Sequence, residues 1–149
     1  MQLPSLRSVL LIPILTLLVA TVASGSPAPT IVMADAVKWT AGTGALAGTQ
    51  VAVLSGNPAT AGGMYTMRLK LPDGFKFGPH MHPMTENVTV ISGTLLVGLG
   101  DKMNTSKMMA LSAGSFAAVP AGLHHYAMAR GQTILQLTGV GPEAMTEVK

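Results

Sequence analysis

The sequence predicts an all-β domain, a sandwich or barrel, on three observations. Short apolar runs alternate with a period of two. Glycine and proline clusters separate those runs at regular spacing. Outside the N-terminal leader, no segment keeps helical periodicity for long enough to make an ordinary helix.

The elements follow in chain order. Met64 to Leu71 alternates best: Tyr65, Met67, Leu69 and Leu71 fall on one face, and Thr66, Arg68 and Lys70 on the other. That is the pattern of a half-buried strand. Asn87 to Ile91, Gly93 to Gly100, Ser115 to Pro120, His124 to Ala129 and Gln132 to Val140 read the same way. Turns are predicted at Pro72-Asp73-Gly74, Ser92-Gly93, Ala113-Gly114, Pro120-Ala121-Gly122 and Arg130-Gly131. A chain of 149 residues is too short for two ordinary domains, so one domain with an extension is expected. No internal repeat is visible.

The extension reads as a targeting segment. Met1 to Ser8 carry one charge, Arg7; Val9 to Ala23 are uncharged and mostly apolar; Ala23, Ser24, Gly25 and Ser26 are small. This is the three-part pattern of a secretory signal peptide. The apolar stretch is short for a membrane span and contains Pro13. An uncleaved N-terminal anchor is the competing reading. The sequence thus divides into a signal peptide over residues 1–25, a proline-containing linker over 26–35 and a domain over 36–148. A secreted or periplasmic location is expected, without stable membrane association after cleavage.

Composition excludes several classes. Cysteine is absent, which removes disulfides, thiolate metal sites and cysteine nucleophiles. Nine basic residues against six acidic give a net charge of +3, and loss of Arg7 with the leader leaves eight against six, or +2. The basic residues are scattered singly with few aromatics between them, so a nucleic-acid partner is not expected.

All four histidines fall in two places. His80 and His82 lie in GPHMHPMTE, and His124 and His125 in AGLHHYA. On a strand, residues two apart share a face, so His80 and His82 can meet one ion. On a helix they would point about 200° apart, at roughly 100° per residue, and Pro79 and Pro83 oppose a helix there. Glu86 follows after a gap that lets the chain return a carboxylate toward the pair. Either histidine of the second pair can complete the set. Taken one at a time these residues read as surface or hydrogen-bonded side chains; taken together they read as a metal site.

The same residues resemble a known family. Gly74, five residues, His80-x-His82, three residues, Glu86, six residues and Gly93 match the first sequence motif of the cupins. Gly114, five residues, Pro120-x-Gly122, two residues and His125 match the second, with Ala129 where that motif carries an asparagine. The resemblance covers nearly all of the chain beyond the leader. It implies an antiparallel jelly-roll barrel and a metal held by His80, His82, Glu86 and His125. His124 matches no motif position, and as the strand neighbour of His125 it should face the other way. Gly93, Gly114 and Gly122 are expected at positive φ.

Three imidazoles and a carboxylate suit Fe, Mn, Co, Ni, Cu or Zn. Phe75, Phe77, Val88, Val90, Leu95, Val97, Phe116, Ala118, Ala127 and Leu135 are candidate wall or core residues, and Met81, Met84 and Met128 lie near the ligands in sequence. No catalytic residue is assigned. Tyr65, on the inward-reading face, is the best candidate for a pocket hydroxyl; Tyr126 should point outward, and Asp73 is a turn acid. So few proton-transfer groups favour redox chemistry at the metal. The expected function is that of an exported metal-binding mono-cupin, of oxygenase type, even a metal-dependent dioxygenase, acting on a small organic molecule. The alternative is a non-catalytic cupin that binds metal or a small ligand. The expected partners are a small-molecule ligand or substrate and a second copy of the chain in a homodimer. A storage role is disfavoured, because storage cupins are usually duplicated and this chain has one motif pair.

Overall fold

The computed structural model describes residues 28–149. The leader and the first two linker residues lie outside the described residues. Residues 28–36 are exposed along their length, with a single turn of 3₁₀ helix at Ala34–Ala36.

Nine antiparallel strands follow: β1 (Thr40–Ala41), β2 (Gln50–Ser55), β3 (Met64–Leu71), β4 (Lys76–Met81), β5 (Glu86–Leu99), β6 (Met109–Ser112), β7 (Phe116–Val119), β8 (His125–Val140) and β9 (Thr146–Glu147). One path of neighbours runs β1-β2-β3-β8-β4-β9, and β5 pairs with β6, β7 and β8. The two long strands, β5 and β8, pair with each other along almost their whole length. The other edge of β8 is shared: its C-terminal half pairs with β3 and its N-terminal half with β4. β8 is thereby the seam of the barrel, and the strands around it close over one core. This is the all-β barrel that the alternating runs predict, in the jelly-roll form that the cupin resemblance implies.

β5 and β8 each merge two runs that read as separate strands in the sequence. Gly93 has φ 77° and Gly131 φ 73°, the left-handed conformation that makes glycine look like a turn residue. In the structure both glycines bend a strand without ending it. Around Gly93 the register shifts between Val90 and Ser92 and again between Ser92 and Thr94, as expected where bulges bend a paired strand. Thr133, fully buried, closes the bend: its hydroxyl accepts from the Thr94 amide and shares its one hydrogen between the Thr94 and Gly131 carbonyls, each 3.1 Å away. A Cβ at Gly93 would lie 2.4 Å from the Gln132 carbonyl oxygen, so only glycine fits the close approach. Asp73, in the Pro-Asp-Gly turn, accepts from the Gly131 amide at 2.6 Å and ties that turn to the second bend.

β3 alternates as predicted, with Tyr65, Met67, Leu69 and Leu71 buried. They pack with Val88, Val90, Leu95, Ala129, Leu135 and Leu137 into one apolar cluster. Each such side chain contributes about 1.5–3 kcal/mol when fully buried. β7 corrects the sequence reading. Phe116 and Ala118 are exposed, and Ala117 and Val119 face inward. The reason is register: Val119 pairs with Glu86 and Ala117 with Val88, and paired residues share a face. Among the described residues, no helix is long and apolar enough to cross a membrane.

Candidate metal centre

One end of the barrel core opens into a cavity of about 220 Å³. Its body is apolar, with Met67, Leu69, Phe77, Val88, Leu95 and Leu137 among the walls. Its polar groups are His80, His82, Glu86, His125, Glu143 and Thr43.

Strand pairing places the histidines. His80, near the end of β4, is the Cα partner of His125, at the start of β8, and their rings lie 4.1 Å apart between centroids. His82 stands just past the end of β4, its ring 5.0 Å from that of His80 and 5.4 Å from that of His125. All three are buried, and their ring nitrogens approach within 4.8 Å of one another. Glu86 opens β5 and brings Oε2 to 3.6 Å from His82 Nε2 and 3.8 Å from His125 Nε2.

The backbone fixes the tautomer of each ring. Nδ1 of His80 lies 2.7 Å from the Gly78 carbonyl, that of His82 2.8 Å from the Ala144 carbonyl and that of His125 3.0 Å from the Leu123 carbonyl. A carbonyl only accepts, so each Nδ1 carries a hydrogen and donates it. When the rings are neutral, each Nε2 is left with a free lone pair. Burial lowers the His80 pKa to about 4, with His125 and His82 pushing the same way against the Gly78 hydrogen bond. Burial likewise lowers that of His125. Burial pushes Glu86 up, to about 7, against the pull of His82.

These residues fit a divalent transition metal. His82 Nε2 is fully buried without a hydrogen-bond partner, a state that costs about 1–3 kcal/mol unless another group takes up the lone pair. Imidazole and carboxylate donors are the borderline set that suits Fe, Mn, Ni, Cu and Zn. Hydrogen bonds from each Nδ1 to a carbonyl are the outer contacts that orient metal-bound histidines.

His124 lies elsewhere. It is partly exposed, with Nδ1 2.6 Å from Asp101 Oδ1 on the outer side of the barrel. Tyr126 also turns away from the cavity, but it is not solvent-facing: it is 2% exposed, packed over Gly98, and donates to the Asn104 carbonyl at 3.4 Å. The loop after β5 covers that outer face, so strand alternation gives the direction of Tyr126 and not its burial. Met81, Met84 and Met128 do not line the cavity, whereas Met67 and Met145 do.

Glu143 is the site residue that sequence reasoning misses. It lies just after β8, anchored by its amide, which donates to the Pro58 carbonyl at 2.7 Å. Its Oε1 is 3.3 Å from His82 Nδ1, and its Oε2 accepts a hydrogen bond from the Tyr65 hydroxyl. Burial, and then that bond, raise the Tyr65 pKa well above the usual phenol range. Tyr65 itself is not a wall of the cavity; it holds the carboxylate that is. The scarcity of proton-transfer groups expected from the sequence is therefore corrected by Glu143. The signal for it was faint: a lone glutamate after a Gly-Pro turn that ends the last long strand.

No curated protein matches the chain. Among solved structures, it is similar to an RmlC-like cupin from Shewanella frigidimarina, with 18% identity over 76% of this chain and 91% of that one, and a TM-score of 0.58. A candidate acetylacetone dioxygenase from Methylibium petroleiphilum is 19% identical, over 84% of each chain, with a TM-score of 0.64. A structure from a study of DMSP lyases is 17% identical, over 76% of this chain and 63% of that one, with a TM-score of 0.59. At these identities the likeness shows a shared cupin fold. A family model described as a domain of unknown function, DUF4437, matches residues 30–143, so the chain belongs to that family and carries it on a cupin barrel.

Proposed function

We propose that this protein is an exported, metal-dependent cupin enzyme of oxygenase type, acting on a small organic substrate. The observation that carries the reading is the convergence of His80, His82 and His125 on one point, with His82 Nε2 buried and unpartnered and Glu86 beside it. A divalent metal held there by these four residues would act as a Lewis acid or, where redox-active, engage dioxygen together with substrate. The chain's own residues do the rest. The carbonyls of Gly78, Ala144 and Leu123 hold the rings in one tautomer, and the apolar walls keep bulk water from the reacting molecule. The leader supports export, and the scattered basic residues speak against nucleic acid. A homodimer is compatible with this reading.

Glu143 favours a second reading. A cavity carboxylate beside the proposed ligands can accept a proton from a substrate carbon or hydroxyl, which would serve a lyase or isomerase without redox change. Dioxygenase and lyase names both occur among proteins that share the fold.

The deciding experiment loads metal-free protein separately with Fe(II), Mn(II), Co(II), Ni(II), Cu(II) and Zn(II). It then screens diols, β-diketones and hydroxyketones with an oxygen electrode and by product analysis. Oxygen uptake with redox-active metals and none with Zn(II) supports the oxygenase, since zinc has no redox chemistry. Turnover with Zn(II) and no oxygen uptake supports the second reading. Saturable binding without turnover for any metal would leave a binding module.

A further inference from the structure

We propose that the cavity selects small neutral molecules bearing a hydroxyl, that Glu143 accepts that hydroxyl, and that carboxylate substrates are rejected. The inference rests on the proposed metal site for one end of the ligand and on Glu143 for the other.

Charge carries the argument. Two carboxylates, Glu86 and Glu143, face the cavity. Among the described residues, no lysine or arginine lines it. Arg68, the arginine on β3, points to the opposite face, where its Nε donates to Gln136. A divalent cation would balance the two carboxylates and leave no net charge to hold an anionic group. The three rings are neutral donors in that state. An anionic substrate would lie near Glu143 in a partly buried site, where like charges repel strongly.

Glu143 is built to accept. One oxygen takes the Tyr65 hydroxyl and the other lies near His82 Nδ1. Each carboxylate oxygen has two lone-pair sites, so capacity remains toward the cavity that Glu143 lines. Thr43 is the other polar wall group apart from the proposed ligands. The remaining walls are apolar, which suits methyl or methylene groups. The cavity, about 220 Å³, falls below the roughly 300–1,000 Å³ of sites for drug-sized ligands. A molecule of a few carbons fits that description.

The test uses a matched pair of probes: acetoin, a neutral hydroxyketone, and lactate, of nearly the same shape with a carboxylate in place of the acetyl group. Both are titrated by calorimetry into the Mn(II)-loaded and metal-free protein, with metal content measured separately by mass spectrometry. Wild-type protein should prefer acetoin by about tenfold or more. Glu143→Gln should weaken acetoin by about tenfold and strengthen lactate, so the preference collapses. His124→Ala, which removes a partly exposed side chain that meets Asp101 outside the cavity, should keep it. Three outcomes overturn the proposal: lactate binding as tightly as acetoin to wild type, an unchanged preference in Glu143→Gln, or no acetoin binding to either form. A protein that takes up no metal yet keeps the acetoin preference would refute the proposed enzyme and the metal's hold on the ligand, and leave the role of Glu143 standing.

Discussion

The Tyr65 hydroxyl donates to the Glu143 carboxylate across the wall of the barrel. This joins the first residues of β3 to the segment that follows β8. The tyrosine ring lies over Gly139, where a Cβ would come within 2.9 Å of its oxygen, so the strand pairing of Tyr65 with Gly139 makes room for the contact. Tyr65→Phe removes the donor and leaves a partly buried carboxylate oxygen short of a partner. We expect a loss of about 1–3 kcal/mol of stability, read as a lower midpoint in urea with an unchanged slope. A Tyr65→Phe, Glu143→Ala double variant should lose less than the two single losses added together, because they share one bond. Strict additivity would mean that the bond contributes nothing.

Metal content should separate the adjacent histidines. His125 joins the buried cluster, and His124 meets Asp101 outside it. His125→Ala should lower metal affinity by more than the roughly 10–100-fold that loss of an outer partner costs. It should also abolish the rise in melting temperature that added metal gives, because the metal binds only the folded state. His124→Ala should leave both close to wild type. Equal loss in the two variants would refute the assignment of His125.

Much of this was legible because it is local. Period-two alternation marks β3 to the residue, and the i, i+2 spacing of His80 and His82 needs only an extended backbone to aim both rings one way. What was not legible depends on partners far away in the chain. Phe116 reads as core by its size, yet it is 62% exposed because pairing with Glu86 to Thr89 turns Ala117 and Val119 inward. Glu143 meets His82 only because the chain crosses back over the barrel end after β8, and no periodicity encodes that return. Gly93 and Gly131 look like strand ends because positive φ serves turns and strand bends alike.

The C-terminal segment should matter to the metal although it contributes none of the four proposed ligands. The Ala144 carbonyl accepts from His82 Nδ1, Met145 lines the cavity, and Thr146 and Glu147 pair with Met81 and His80 through β9. A chain ending at Gly141 keeps β8 whole but loses all of these contacts. We expect its metal affinity to fall by about 10–100-fold, as for loss of an outer partner that orients a ligand. Competition with a coloured chelator measures this. Unchanged affinity would mean that His82 is oriented without the segment.

The pH dependence of metal uptake follows from Glu86 and His80, whose pKa values burial shifts in opposite directions. Metal binding needs His80 neutral and Glu86 ionised. Burial lowers His80 from 6.5 to about 4, so it is already neutral at pH 5.5 and above. Burial raises Glu86 from 4.5 to about 7, so in the metal-free protein it is still largely protonated at pH 6. Metal binding at pH 6 should therefore release the proton that Glu86 holds, so wild type should release more protons than Glu86→Gln, detectable by calorimetry in two buffers of different ionisation enthalpy. Affinity should climb with pH up to about 7 and then level off. Stability of the metal-free protein obeys the same linkage. For Glu86 the folded state binds the extra proton between pH 4.5 and 7, so its contribution is full below 4.5 and is lost as pH rises through 7. For His80 the unfolded state binds the extra proton between about 4 and 6.5, so its contribution is present above 6.5 and is lost as pH falls through 4. The two oppose each other between 4.5 and 6.5. From pH 6.5 to 8 the Glu86 loss is no longer offset, and the melting temperature of metal-free protein should fall. Glu86→Gln should remove that fall and also the proton released on metal binding. A melting temperature that drops equally in Glu86→Gln would assign the titration to another group.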